Sequence, residues 1–166
     1  MIIAAIDPGL KGALALVDLD DMSVIGLDDM PVETFIDGRA VPDGRAVHDI
    51  LCSWNPGLVV LEHVEPRGGE GRASLWRFAA GFGSVMTAAQ LYSGHERRLT
   101  LVRPAVWKPA LGLSQDKRES LKMARDIFPD AADMLSRAKD DGRAEALLLT
   151  EYHRKFVAPR ASVEVF

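Results

Sequence analysis

The sequence predicts an α/β domain: a mixed sheet of about five strands with helices on both faces. Three observations point there. Apolar runs at residues 2–6 and 58–61 are almost unbroken, the mark of strands buried on both sides. Residues 12–30 hold two short apolar runs around the acidic turn Asp18-Leu19-Asp20-Asp21, as antiparallel hairpins do. Helical periodicity and strand runs then alternate, which favours helices laid over a sheet.

The elements follow in order. Residues 2–7 form a first strand, stopped by Pro8-Gly9, and Gly12 to Asp18 and Ser23 to Met30 make two more. Asp43 caps a helix running to about Trp54, with Val47, Ile50, Leu51 and Trp54 on one face. Asn55-Pro56-Gly57 ends it, and Leu58–Glu62 is the next buried strand. The charged, glycine-rich EPRGGEGR at 65–72 reads as a loop, and Ala73 to Tyr92 as a long helix. The small residues in AAGFGSVMTAA let another helix approach closely. Gly81 and Gly83 each cost about 1 kcal/mol against alanine, which packing must offset. Leu99–Val102 is a strand ended by Arg103-Pro104; a helix begins near Ser114 and stops before Phe128-Pro129; the last long helix runs from about Asp140 to His153. No repeat or linker interrupts the chain, so residues 1–166 read as a single domain.

Composition fits a compact globule, with 48% hydrophobic residues and a mean hydropathy of +0.01. Apolar runs break well short of a bilayer span, and no basic leader precedes the first strand, so the expected location is cytoplasmic. Cys52 is the only cysteine, which excludes an intrachain disulfide and a cysteine-built zinc site; its place in AVHDILCSW predicts a small core residue. His48, His63, His95 and His153 have no zinc spacing. The net charge of −4 is unevenly spread. Residues 1–55 carry three Lys/Arg against ten Asp/Glu, and residues 56–166 carry seventeen against fourteen. A basic surface on the second part is compatible with a nucleic-acid partner.

The acids are the chemical signal. Asp7 and Glu62 each close an apolar strand, where an unpaired carboxylate is costly. Functional crevices in α/β sheets lie at the carboxyl ends of strands. Asp141 and Glu145 are four residues apart on a helix, about 40° apart around its axis. Each has an ordinary reading alone, as a turn, a cap or an exposed side chain. Together they offer four hard oxygen donors suited to Mg²⁺ or Mn²⁺. A pair of such ions can activate water and stabilise the leaving oxygen of a phosphodiester. Lys108, Lys117, Arg118, Lys122 and Arg125, with Arg97, Arg98 and Arg103 upstream, are candidate phosphate contacts. His63 adjoins Glu62 and is a candidate supporting or relay residue; Trp54, Trp76 and Trp107 are candidate core or interface anchors, Trp107 also a candidate for stacking on DNA.

Four blocks carry a resemblance: IDPGLKGALAL, LVVLEHV, RPAVWKPALGLSQDKRESLKMARDIFP and DDGRAEALLL. In that order and spacing, over residues 1–153, the chain resembles the RuvC-like Holliday junction resolvases, within the RNase H-like nuclease fold. The resemblance implies Mg²⁺-dependent cleavage of four-way DNA junctions by a homodimer making paired nicks, with two ions and Mn²⁺ as a substitute. It implies that Asp7, Glu62, Asp141 and Glu145 bind metal, Glu145 standing where Asp is often found. Asp140 is a less favourable substitute because of its angular offset. Lys108 and Lys117 match basic residues that contact phosphate or the transition state, Lys108 counted with the four acids as catalytic, and the helix around Gly81 and Gly83 matches the dimer-packing region. Bacterial housekeeping members carry an aromatic wedge after the middle glutamate. Here His63-Val64-Glu65 follows, and then a loop with Arg67 and Arg72 as candidate DNA contacts, so the chain looks more like the phage- or prophage-type branch.

Three other readings compete. A nuclease of the same fold acting on flaps, branched DNA or RNA–DNA hybrids would need the same acids. A catalytically silent nucleic-acid-binding protein would not need all four. An actin-type ATPase shares the Asp-x-Gly opening, but 166 residues leave no room for its second lobe and no later phosphate loop is present.

Overall fold

The structure is a computed structural model and describes residues 1–35, 38–66, 69, 71–94, 98–114 and 116–161. Five strands form the central sheet: β1 (Ile2–Asp7), β2 (Ala13–Asp18), β3 (Val24–Asp29), β6 (Leu58–Glu62) and β7 (Leu99–Val102). Their spatial order is β3-β2-β1-β6-β7. The first three pair antiparallel as hairpins, while β6 and β7 add parallel to β1. β4 (Val32–Thr34) and β5 (Ala40–Pro42) make a separate two-stranded ribbon.

Strand side chains alternate between faces, and each face has its own core. Ile3, Ala5, Ala15, Val17 and Val60 join a core with α3 (Pro104–Ala110), α4 (Lys117–Ile127) and α5 (Asp141–Tyr152). Ala4, Ile6, Leu14, Leu16, Val59 and Leu61 join a second core with α1 (Gly44–Trp54) and α2 (Arg72–Ser93). Burial on both sides explains why β1 and β6 read as continuous apolar runs. α5 is buried around nearly its whole circumference. It lies on β1 and β2 with α4 beside it.

Local chemistry sets the boundaries. Asp43 caps α1 by accepting from the Arg45 and Ala46 amides, and Asn55, at φ 49°, closes it. A cap of this kind is worth about 1 kcal/mol. Gly81 and Ser84 of α2 make close contacts within the chain. A Cβ on Gly81 would strike the Pro42 ring of β5, and one on Gly44 would strike the Ser84 backbone. The helix that approaches closely is therefore α1.

Several expectations need correction. Cys52 is exposed, beside His48 one turn earlier on the outer face of α1, and is no core residue. Arg103-Pro104 does not simply end a strand; Pro104 opens α3, where its missing N–H is harmless. The β4–β5 ribbon had no counterpart in the sequence reading. Its strands have three residues each, and β4 is exposed throughout, so no buried alternation marks it.

Candidate active site

Asp7 and Glu62 end neighbouring parallel strands. Ile6 lies opposite Leu61, so the next rung brings Asp7 beside Glu62. Ala5 and Val60 face α5, and two-residue alternation turns Asp7 and Glu62 toward the same face. β1 stops there because Pro8 lacks an amide hydrogen. The Gly9–Gly12 turn then folds back: Gly12 donates to the Gly9 carbonyl at 2.8 Å, and the Gly9 amide donates to Asp7 Oδ1 at 3.2 Å.

α5 supplies the other two acids from its first and second turns. Both are buried, Asp141 at 7% and Glu145 at 8% exposure. Gly142 permits this placement. A Cβ there would collide with the Lys11 carbonyl and crowd Gly12, so only glycine lets α5 seat against the β1–β2 turn beside Asp7.

Cations and donors of the chain face these acids. Lys108 donates to Glu145 Oε1 at 2.6 Å, with the Ser120 hydroxyl donating to the same oxygen at 3.4 Å. Lys117 pairs with Asp141. Trp107, fully buried, donates its indole N–H to Glu62 Oε1 at 2.8 Å. Burial, with the Glu145 charge next in importance, pushes Asp7 up to about 6. Burial and then the Asp7 charge push Glu62 up to about 8, against the lowering effect of the Trp107 hydrogen bond. Asp141 raises the Lys117 ammonium above its ordinary value. The pocket thus disfavours its own negative charge and would gain from added positive charge.

The donor set fits a hard divalent cation in kind: oxygen-only and largely desolvated, with Asp7 and Glu62 destabilised by the charges beside them. Among the described residues, no three acidic, histidine or cysteine side chains converge tightly enough to enclose an ion. Glu145 and Asp141 are drawn to lysines, and Glu62 to the indole.

The structure brings together six expected residues, Asp7, Glu62, Asp141, Glu145, Lys108 and Lys117. Asp140 lies apart from them: its carboxylate takes three hydrogen-bond donors from Arg137, at 2.8 to 3.3 Å. His63 packs its ring against Phe82 of α2, 5.6 Å between centroids, away from the face Glu62 occupies. Arg118 is held by Asp116 at the start of α4. Arg72 is exposed at the start of α2, and Arg67 lies outside the described residues. The partnership of Trp107 and Glu62 was missed, as was Ser120. The only sequence signal was the Trp107-Lys108 dipeptide, whose lysine also lies 5.2 Å from the indole centroid.

Sheet order, two helical faces and acids at the carboxyl edge define an RNase H-like α/β domain. Holliday junction resolvases are among its structural neighbours. Thermus thermophilus RuvC, solved in complex with a Holliday junction substrate, superposes with a TM-score of 0.64 at 19% identity, covering 99% of this chain and 96% of that one. The fowlpox virus Holliday junction resolvase gives 0.53 at 20% identity, covering 93% and 99%. The yeast mitochondrial Holliday junction resolvase gives 0.51 at 15% identity, covering 92% and 77%. The shared property is the fold. No protein-family model and no curated protein sequence matches the chain.

Proposed function

We propose that the chain is a metal-dependent, structure-selective endodeoxyribonuclease that resolves four-way DNA junctions by paired phosphodiester hydrolysis. One observation carries this reading: three distant segments bring four acids to the carboxyl edge of the sheet, where burial and mutual repulsion call for positive charge. The fold shared with junction resolvases supports it.

Asp7, Glu62, Asp141 and Glu145 would hold two Mg²⁺ ions, with Mn²⁺ as a substitute. When bound, such ions supply the charge that activates water and stabilises the leaving oxygen. Trp107 fixes one Glu62 oxygen by its 2.8 Å hydrogen bond, leaving the other free to bind. Lys108 and Lys117 answer the acids and would pass to phosphate oxygens when DNA arrives. Arg67, Arg72 and Arg118 are further candidate DNA contacts. Paired cuts need two active sites, so a homodimer through the 73–92 helix completes the proposal, with the cytoplasm as its compartment.

The test is cleavage of an end-labelled immobile four-way junction, in competition with a matched duplex and a flap, in Mg²⁺ and then Mn²⁺. Symmetric nicks confined to the junction are expected. Preferred cutting of the flap would keep the nuclease but reassign its substrate; binding without any cutting would favour the silent protein.

A further inference from the structure

A cavity of about 430 Å³ opens directly beside Asp7, on the side of the sheet away from the lysines. Asp7 and Leu10, at the end of β1 and in the turn after it, line it together with Val64 and with Arg77, Phe78 and Phe82 of α2. The Phe78 and Phe82 rings lie within 10° of parallel, with centroids 6.4 Å apart, and both are only partly buried. Arg77 is exposed and makes no ion pair among the described residues.

Nothing in the carboxylate chemistry uses this cavity, yet Asp7 lines it. A phosphodiester held by the acids has a nucleotide on each side. Lys108 and Lys117 stand on the α3–α4 side, so a strand crossing the carboxyl edge of the sheet leaves over α2. There it meets aromatic faces and a guanidinium, the two group types that hold an unpaired nucleotide. A duplex keeps its bases stacked and cannot fill such a site, whereas a branch point offers bases that unstack at low cost.

We propose that this cavity is a subsite for one unstacked base of the cut strand, with Phe78 and Phe82 as its stacking faces and Arg77 as its phosphate contact. It rests on the nuclease reading and adds a source of branch selectivity to it. The chain then obtains aromatic contact with DNA from α2, where the segment after Glu62 has no aromatic residue.

The test is single-turnover cleavage by the full chain of junctions that lack one base at a time at successive nucleotides around the mapped cut. A loss of about tenfold at a single position is expected. Phe78→Leu, which keeps apolar bulk without a ring, should slow the intact junction by a similar factor and no longer respond to base removal there. Phe78→Tyr should restore the position dependence. Arg77→Ala, at an exposed site, should weaken junction binding and reduce its salt dependence, and it remains informative if Phe78→Leu does not fold. Uniform rates across the abasic junctions, or a parent-like profile in Phe78→Leu, would overturn the subsite while leaving the nuclease intact. If the parent cuts nothing, the nuclease reading has failed, and binding of a single strand carrying 2-aminopurine decides the subsite alone. Quenching by the parent and not by Phe78→Leu supports it; equal quenching overturns it.

Discussion

Glu62 is the residue on which the site's electrostatics turn. Its carboxyl, at about 8, and that of Asp7, at about 6, both hold protons more tightly in the fold than in the unfolded chain, where acids titrate near 4. A raised acid pKa favours the protonated native state, so this part of the stability is fully present below about pH 4. It is lost as pH rises from about 4, Asp7's share by about 6 and Glu62's by about 8. In chelator, denaturant melts should show a fall on the order of a few kcal/mol across that window. Glu62→Gln removes one charge and keeps the oxygen that Trp107 binds, so it should be more stable than the parent at pH 8.5. Equal or lower stability would mean that no repulsion is buried there. The same variant, like Asp7→Asn, should lose cutting by about 100-fold or more while junction binding persists. Full activity in either would remove the residue from the proposed metal site. Lys108→Ala should slow single-turnover cutting with metal binding retained; an unchanged rate would end its proposed role.

Among the elements, α5 shows how a single glycine positions chemistry. Gly142→Ala gains about 1 kcal/mol in helix propensity, yet its Cβ would drive into the Lys11 carbonyl. Backbone cannot yield as a flexible side chain does, so overpacking of about 1–3 kcal/mol or more should win. Lower stability together with lost cleavage is expected; a stabilised, fully active variant would show that the turn moves freely. The same element shows why the acids were legible in the sequence and their partners were not. Asp7 and Glu62 end strands that Pro8 and the apolar runs mark, and the 141/145 spacing gives one helix face from local periodicity alone. Trp107 reaches Glu62 across 45 residues of chain, and Lys117 reaches Asp141 across 24. No local pattern encodes such pairings. α3 was hidden because a proline that stops a strand also opens a helix, and Cys52 because one residue of slack in an amphipathic pattern moves a side chain from core to surface.

At the scale of the whole molecule, the proposed site of four acids would cut one strand, so the paired nicks of the proposed function need two chains. α2 buries Gly81 against Pro42 of β5 and buries Val85, Ala88 and Ala89 in the core shared with the sheet and α1, but leaves Gly83, Thr87 and Leu91 on its outer side. Leu91 is 69% exposed, and these residues border an open groove of about 520 Å³ between α1 and α2. A Cβ on Gly83 meets nothing within 4 Å, so a large side chain there fits the single chain. It would obstruct a second helix packed on the same face. On the proposed dimer reading, Gly83→Trp should leave each chain folded, give a monomer in light scattering where the parent gives a dimer, and convert paired nicks into single ones. Arg45 and His48 lie in the same groove, so Thr87→Arg tests the face by charge as well as by bulk. Paired nicking by a monomeric variant would place the second cut in a sequential encounter of separate chains. An unchanged dimer would place the interface elsewhere than α2.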